Sequence, residues 1–319
     1  MKRIALFAHY DRDGIIDDYV IYYLRGLERV ADRILFVSDC ELRIGEAAKL
    51  AGLAEFVSAS RHGEYDFGSW KRGLRHLNYD LAGWDELILA NDSCYAPVYP
   101  FEDAFERMSK VNCDFWGPTA NEKKGEFDHI SSYFIVFRRP ILRDEDFLQF
   151  WSRIEPQSAV NDVIVRYEIG LSQLLVAKGY RYDSLMPPAE IGSFATTRYV
   201  HDILHAYKSC WLKVRVVRDN PTRVARLGEA VDKIHGLYPR ELIDAHMTRM
   251  LGTIKPGHHF YSFGGNWQFK RYGLEISCHL KRGKPDKQIN RRFDWIKLYT
   301  YVLGIPVFAF TWPVRRAYH

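Results

Sequence analysis

The stretch Asp85-Glu-Leu-Ile-Leu-Ala-Asn-Asp-Ser-Cys-Tyr-Ala-Pro97 decides how the rest of the chain is read. Leu87, Ile88, Leu89 and Ala90 form an uninterrupted apolar run, and a short run without polar alternation is the mark of a strand buried on both faces. The run ends abruptly in Asn91, Asp92 and Ser93, and Pro97 and Pro100 prevent the strand from continuing. In an open α/β sheet the carboxyl ends of the strands line the ligand crevice, so Asp92 is placed to hold a cation against a diphosphate. A cap for a helix starting near Phe101, or a simple turn, would use Asp92 or Ser93 equally well.

Upstream of this strand the pattern alternates. Lys2–Ala8 reads as a strand ending in His9-Tyr10-Asp11, and an amphipathic segment runs from Asp17 to Ala31. Arg33–Val37 is a second strand ending in Ser38-Asp39, Arg43–Ala51 reads as helical, Glu55–Ser58 is a third strand and Gly68–Leu77 a further helix. Strands alternating with helices at this spacing predict an α/β fold with a mainly parallel, helix-covered sheet. Neither a dinucleotide glycine fingerprint nor a P-loop occurs, so a nucleotide must be held in another way.

Downstream the alternation loosens. A short run at Asn112–Gly117 precedes a charged loop, Asn121-Glu-Lys-Lys-Gly-Glu126, suited to a lid, and His129–Phe137 reads as one long strand. Helices are expected at Asp144–Ile154 and Glu168–Lys178, the second closed by Gly179. Met186–His205 reads as irregular, Trp211–Val217 as an edge strand and Arg223–Leu251 as helical, broken at Pro239.

With 319 residues and 47% apolar content the chain has ample material for a core, in one large domain or two ordinary ones. The five cysteines are scattered and contain no C-x-x-C pair, which argues against a disulfide framework or a zinc site and for a reducing compartment. The N-terminus reads as a first strand and not as a signal peptide. Net charge is +5, but residues 201–319 carry 21 Lys and Arg against 9 Asp and Glu, so the body is acidic and the tail basic. A basic tail suits an anionic partner such as phospholipid; no nucleic-acid-binding module is recognisable in it. Trp295–Val314 is nearly all apolar and bracketed by Arg291-Arg292 and Arg315-Arg316. Lys297, Gly304, Pro306 and Pro313 argue against a spanning helix and favour a segment lying in a membrane interface, with packing as core the alternative.

Asp11, Asp39 and Asp92 stand at three strand ends that a parallel sheet brings to one edge, and Lys71 and Arg72 lie near enough in sequence to counter phosphate charge. Taken together with Phe7-Ala-His-Tyr-Asp-Arg-Asp-Gly-Ile-Ile-Asp-Asp-Tyr19, Tyr65-Asp-Phe-Gly-Ser-Trp-Lys71, Leu89-Ala-Asn-Asp-Ser-Cys-Tyr95, Asp114-Phe-Trp-Gly117 and His129-Ile-Ser-Ser-Tyr-Phe-Ile-Val-Phe137, these residues resemble the rhamnan synthesis protein F family. The resemblance covers about residues 1–220, including Leu212-Lys-Val-Arg and Arg218-Asp-Asn-Pro221, and is weaker beyond.

What the resemblance implies is a GT-A type glycosyltransferase domain over 1–220; the helical, basic character of the C-terminal region over 221–319, and its contact with the membrane, are read from that segment's own residues. The resemblance places His9, Tyr10, Asp11 and Asp39 against the donor base, and Tyr65, Asp66 and Lys71 on the donor side. Asn91-Asp92-Ser93 takes the place of the family's D-x-D, with Asp92 on a divalent cation, Mg²⁺ or Mn²⁺. Only one carboxylate survives there, and a hard cation prefers several oxygen ligands. Glu168 is similar in context to the catalytic base of inverting GT-A enzymes, although an acidic residue also suits the first turn of any helix. Trp116 and Tyr133 are acceptor candidates, since flat rings stack on sugars, with core packing the alternative; His129 is a third, as a hydrogen-bond donor to a sugar hydroxyl or simply a polar residue filling a loop. The implied activity is transfer of L-rhamnose from dTDP-rhamnose to a lipid-linked glycan at the cytoplasmic face. Another nucleotide sugar, or a non-catalytic carbohydrate-binding subunit of an assembly complex, fits the same residues.

Overall fold

The computed structural model describes residues 1–121, 128–186, 195–222, 224 and 227–251, together with four strands between 266 and 315. Four parallel strands form the heart of the sheet: β1 (Arg3–His9), β2 (Arg33–Ser38), β3 (Phe56–Ala59) and β4 (Glu86–Asn91). Their order is β3-β2-β1-β4, and the sheet continues through β8 (Phe134–Arg138), which runs antiparallel to β4, to β6 (Phe115–Asn121). β7 (His129–Ile130) and β9 (Tyr182–Met186) both pair with β6, the latter in parallel.

Alternation along each strand builds two cores. Ala5 and Phe7 of β1, with Ile88 and Ala90 of β4, face helices α1 (Asp18–Leu27) and α3 (Phe101–Ser109) and the later C-terminal helices. Ile4, Leu6 and Ala8, with Leu87 and Leu89, face α2 (Tyr65–His76) and the helix pair that follows β8. The uninterrupted apolar run of β4 is therefore explained by a sheet covered on both sides, in which every residue of that strand is buried.

Several elements depart from the sequence reading. Arg43–Ala51 contains only a single 3₁₀ stretch, Glu46–Leu50. His129–Phe137 is not one strand: β7 and β8 are separated by a turn at Ser132-Tyr133, because β7 pairs only with β6 while β8 crosses to lie between β6 and β4. The helix at Glu168 starts earlier than expected. Helical structure opens at Val160, passes through a π-helical segment Ile164–Ile169 and returns to α-helix over Gly170–Ala177, so Glu168 sits inside the helix and not in its first turn. Trp211–Val217 supplies only a two-residue strand, β10 (Leu212–Lys213), which pairs with β5 (Cys94–Tyr95) before the chain turns into the helix Val214–Asp219.

The helical reading of 221–319 fits Leu227–Asp232 and Arg240–Leu251 but gives way at Asn266. Asn266–Arg271, Leu274–Gly283, Phe293–Val302 and Ile305–Arg315 form a four-stranded antiparallel meander. The apolar segment Trp295–Val314 is thus mostly a hairpin, with a register irregularity at Thr300/Tyr301. Among the described residues no helix is long and apolar enough to cross a membrane. The lid candidate lies largely outside the described residues, at 122–127.

Close packing ties α1 to the loop after β4. A Cβ built on Gly26 would come within 2.6 Å of the Pro97 ring, which is rigid and cannot swing aside. Gly26→Ala, which would favour the helix by about 1 kcal/mol in isolation, is expected instead to lower stability by about 1–3 kcal/mol through overpacking. Chemical denaturation of the variant measures this, and a gain in stability would show that α1 and Pro97 do not pack as described.

Candidate active site

The parallel register fixes which side chains meet. His9 lies level with Ser38, and Ala8 with Asn91, so the segments 9–11, 38–39 and 91–93 emerge side by side at one edge. The backbone N–H of Tyr10 donates to Asp92 Oδ2 at 2.8 Å, and the Tyr19 hydroxyl donates to the Asp92 carbonyl at 2.9 Å. His9 is buried, its Nδ1 2.8 Å from Ser38 Oγ, and burial pushes its pKa down to about 4. Its Nε2 approaches Asp92 Oδ2 at 4.0 Å, but the imidazole is neutral at neutral pH and the contact is not an ion pair. Asp92 does not cap the helix at Phe101, whose cap position is Pro100.

On the other flank of β4, Asn91 Nδ2 donates to Asp66 Oδ2 at 2.7 Å, while Asn91 Oδ1 accepts from the Ser93 hydroxyl at 2.6 Å. Asp66 follows Tyr65, whose φ of 56° turns the chain into α2 and leaves its ring 40% exposed. Burial raises Asp66 to about 6, with the charge of Glu168 among the lesser causes. Burial also raises Asp92 well above the usual carboxylate range, and the neighbouring Asp66 adds to the effect. Two carboxylates that repel each other in a sparsely solvated site favour a positive partner between them. Their carboxylate oxygens are hard ligands of the kind a divalent cation takes, with phosphate and water completing its shell.

A cleft of about 460 Å³ opens over the ends of β1 and β4. His9, Tyr10, Asp11, Asp92 and Ser93 line it from the sheet. Its opposite wall is Lys213, Arg215, Arg218 and His246, four residues not singled out from the sequence as site residues. The motif Leu212-Lys-Val-Arg was visible, but only the pairing of β10 with β5 shows that it reaches Ser93. The volume falls within the range of small-molecule pockets.

The remaining candidates are distributed unevenly. Asp11 is committed: its Oδ1 accepts from the N–H groups of Asp13 and Ile15, and its Oδ2 from Arg249 at 2.6 Å. Asp39 Oδ1 accepts from His62 N at 2.6 Å and Gly63 N at 2.8 Å, shaping the loop after β3, and Asp39 does not line the cleft. Lys71 donates to the Ile154 carbonyl and Arg72 to Glu64, so neither is poised for phosphate. Glu168 Oε1 accepts from Ser132 N at 2.9 Å and stands 3.9 Å from His129 Nε2. A π-helical irregularity here changes which residues of the helix face the turn between β7 and β8, and such features recur at functional sites. Tyr133 is buried, its hydroxyl 3.1 Å from Thr119 Oγ1 and its ring face covered by the Lys213 ammonium at 3.8 Å. Trp116 is fully buried against Phe105 and Phe134 and offers no face to a sugar; it belongs to the core.

Asp66 gives the site a measurable pH signature. Its folded pKa, raised to about 6, exceeds the ordinary 3.8, so the folded state loses stability as pH rises through this window. Asp66→Asn keeps an acceptor for Asn91 and is expected to stabilise the protein by about 1–2 kcal/mol above pH 6 and by little below pH 4. Melting temperatures across pH check this; a benefit independent of pH would mean that Asp66 is not held against its charge.

Residues 34–256 match the rhamnan synthesis protein F family. Among curated relatives, the uncharacterized protein y4gN of Sinorhizobium fredii is 25% identical over 217 residues, covering 67% of this chain and 53% of that protein. The chain therefore spans about half the length of that relative. The virulence protein VirA of Vibrio anguillarum is 23% identical over 270 residues, covering 74% of this chain and 86% of VirA. Among solved structures, a glycosyltransferase involved in glycosylation of the major capsid of PBCV-1 superposes with a TM-score of 0.35 at 10% identity, covering 74% of this chain and all of that one.

Proposed function

The chain belongs to the rhamnan synthesis protein F family, and we propose that it is an inverting glycosyltransferase working from a nucleotide-sugar donor. Its α/β fold resembles that of the GT-A nucleotide-sugar transferases. The observation that carries the reading is Asp92 at the end of a buried parallel strand, with Asp66 tied to the neighbouring Asn91, beside a cleft whose far wall is cationic. Carboxylates alone would repel a diphosphate. Paired with facing cations and a hard-oxygen set for a metal, they suit a nucleoside diphosphate.

In this mechanism Glu168 accepts the proton of the acceptor hydroxyl as that oxygen attacks the anomeric carbon, and the bond from that carbon to the phosphate oxygen breaks. Glu168 is held for this by the Ser132 N–H, which orients the carboxylate without supplying a proton it would have to displace. Asp92 and Asp66 would hold Mg²⁺ or Mn²⁺, which neutralises diphosphate charge when bound. His129, 3.9 Å from Glu168, lies on the acceptor side. The sugar we assign is L-rhamnose from dTDP-rhamnose, and the acceptor a lipid-linked glycan at the inner face of the membrane, reached by the basic C-terminal region.

A screen of nucleotide sugars for hydrolysis and transfer, with and without Mg²⁺ or Mn²⁺, tests the reading; turnover of none of them would leave a binding subunit as the alternative. Within an active protein, Glu168→Gln keeps the shape of the base and removes its proton affinity. Transfer is expected to fall by about two to four orders of magnitude with donor affinity near that of the parent. Near-native transfer by this variant would reduce Glu168 to a structural acceptor for Ser132.

A further inference from the structure

We propose that Lys213 is the chain's own phosphate-binding cation, holding the diphosphate of the donor and of the departing nucleotide whether or not a divalent metal is present. This deepens the transferase reading and rests on it. Lys213 is firmly placed. Its strand β10 is zipped against β5, with Leu212 opposite Tyr95 and Lys213 opposite Cys94, and the pairing extends through Val214 N to the Ser93 carbonyl at 2.9 Å and Val98 N to the Cys210 carbonyl at 2.8 Å. Trp211 anchors the segment: its indole N–H donates to the Tyr23 hydroxyl at 2.9 Å, and its ring packs on Phe134 with centroids 4.6 Å apart. A long, flexible side chain thus leaves from a fixed point.

The ammonium itself is held by neutral groups. It donates to Ser93 Oγ at 3.1 Å and stands 3.8 Å above the centre of the Tyr133 ring. The other cations of the cleft wall and its rim have carboxylates close by: Arg218 donates to both Asp219 oxygens, Arg215 lies 4.0 Å from Asp219, and Arg12 bonds Asp13. Among the described residues no carboxylate lies within 4 Å of the Lys213 ammonium. An ammonium has three N–H donors; the Ser93 hydroxyl takes one and the Cys94 thiol accepts another. Its charge and its third donor are available to a ligand in the cleft it lines.

Ser93 explains itself in the same way. An aspartate at this position would sit against Lys213 and neutralise it; a hydroxyl fixes the ammonium and leaves its charge for an anion. Ser93 thus orients the lysine through its hydroxyl and adds no charge of its own. During transfer, the electron pair of the breaking bond between the anomeric carbon and oxygen stays on the phosphate oxygen, the acceptor proton goes to Glu168, and the products are a glycoside and a nucleoside diphosphate. Charge grows on the phosphate oxygen, and Lys213 stabilises it by donating a hydrogen bond without losing its proton.

Titration calorimetry of the full chain with dTDP, UDP and GDP and with the matching nucleosides, in EDTA and in Mn²⁺, tests the assignment. For whichever diphosphate the parent binds, Lys213→Met is expected to weaken binding by about 10- to 100-fold in EDTA, and by a measurable factor in Mn²⁺. Nucleoside binding should shift less than about twofold, and Lys213→Arg, which keeps the charge, should retain most of the affinity. Unchanged diphosphate affinity in a folded Lys213→Met protein overturns the lysine's role and leaves the transferase reading standing. Equal losses for diphosphate and nucleoside also overturn it, since the lysine would then only support the fold. If the parent binds no nucleoside diphosphate under either condition, the transferase reading fails and the lysine assignment fails with it.

Discussion

The parallel pairing of β1 with β4, from Arg3 opposite Glu86 to Ala8 opposite Asn91, is the constraint on which the rest depends. Both strands are buried on both faces, so the register cannot slip by one residue without turning the alternating sets Ile4, Leu6, Ala8 and Ala5, Phe7 into the wrong cores. That lock sets the level at which polar residues appear. His9 and Asp92 emerge together because the apolar runs before them end together, and the Tyr10 N–H then finds the Asp92 carboxylate. The loop after β4 is fixed in turn by Pro97 packed on Gly26 and by the pairing of β5 with β10.

The far wall of the cleft is held by charge as well as by apolar contact. Arg249, in the helix Arg240–Leu251, bonds Asp11 and Asp17 and lies 3.3 Å from Asp13, so one guanidinium gathers three carboxylates from the loop between β1 and α1. One turn earlier, His246 lies 2.8 Å from the Tyr95 hydroxyl and packs on Tyr19, and burial pushes its pKa down to about 4. A neutral imidazole is what a buried aromatic cluster accommodates without a desolvation cost. These contacts join a C-terminal helix to the first and fourth strands, and they make residues more than two hundred positions from Asp11 part of the same site.

Around the cleft, charge is distributed so that each half lacks what the other has. Asp66 and Asp92 carry raised pKa values because burial opposes their ionisation, and the charge of Asp66 adds to the effect at Asp92. Lys213 faces them across Ser93 without a carboxylate partner among the described residues. A binding site held short of neutrality on both sides is one whose groups gain by taking up a ligand that bridges them.

How much of this was legible in the sequence follows from the range of the interactions involved. The strands β1, β2, β3 and β4 and the strand-end positions of Asp11, Asp39 and Asp92 could be read because they depend on local apolar periodicity, which each segment carries in itself. The chemistry of Asp92 and Glu168 could be named from motif context. What each carboxylate touches could not. Asp11 looks like a ligand-binding residue until Arg249 arrives from 238 positions away, and Asp39 until the loop at His62-Gly63 closes on it. Trp116, an apparent sugar-stacking ring, is core because β6 enters the sheet interior beneath α3. Lys213 was hidden in an apparent edge strand, and only its two-residue pairing with β5 carries it to Ser93. The sequence by itself determined which segments are strands and which residue types stand at their ends, because burial periodicity is local. Tertiary structure alone decided which of those charges are already paired and which face the cleft, because pairing depends on contacts between segments whose separation along the chain leaves no periodic trace.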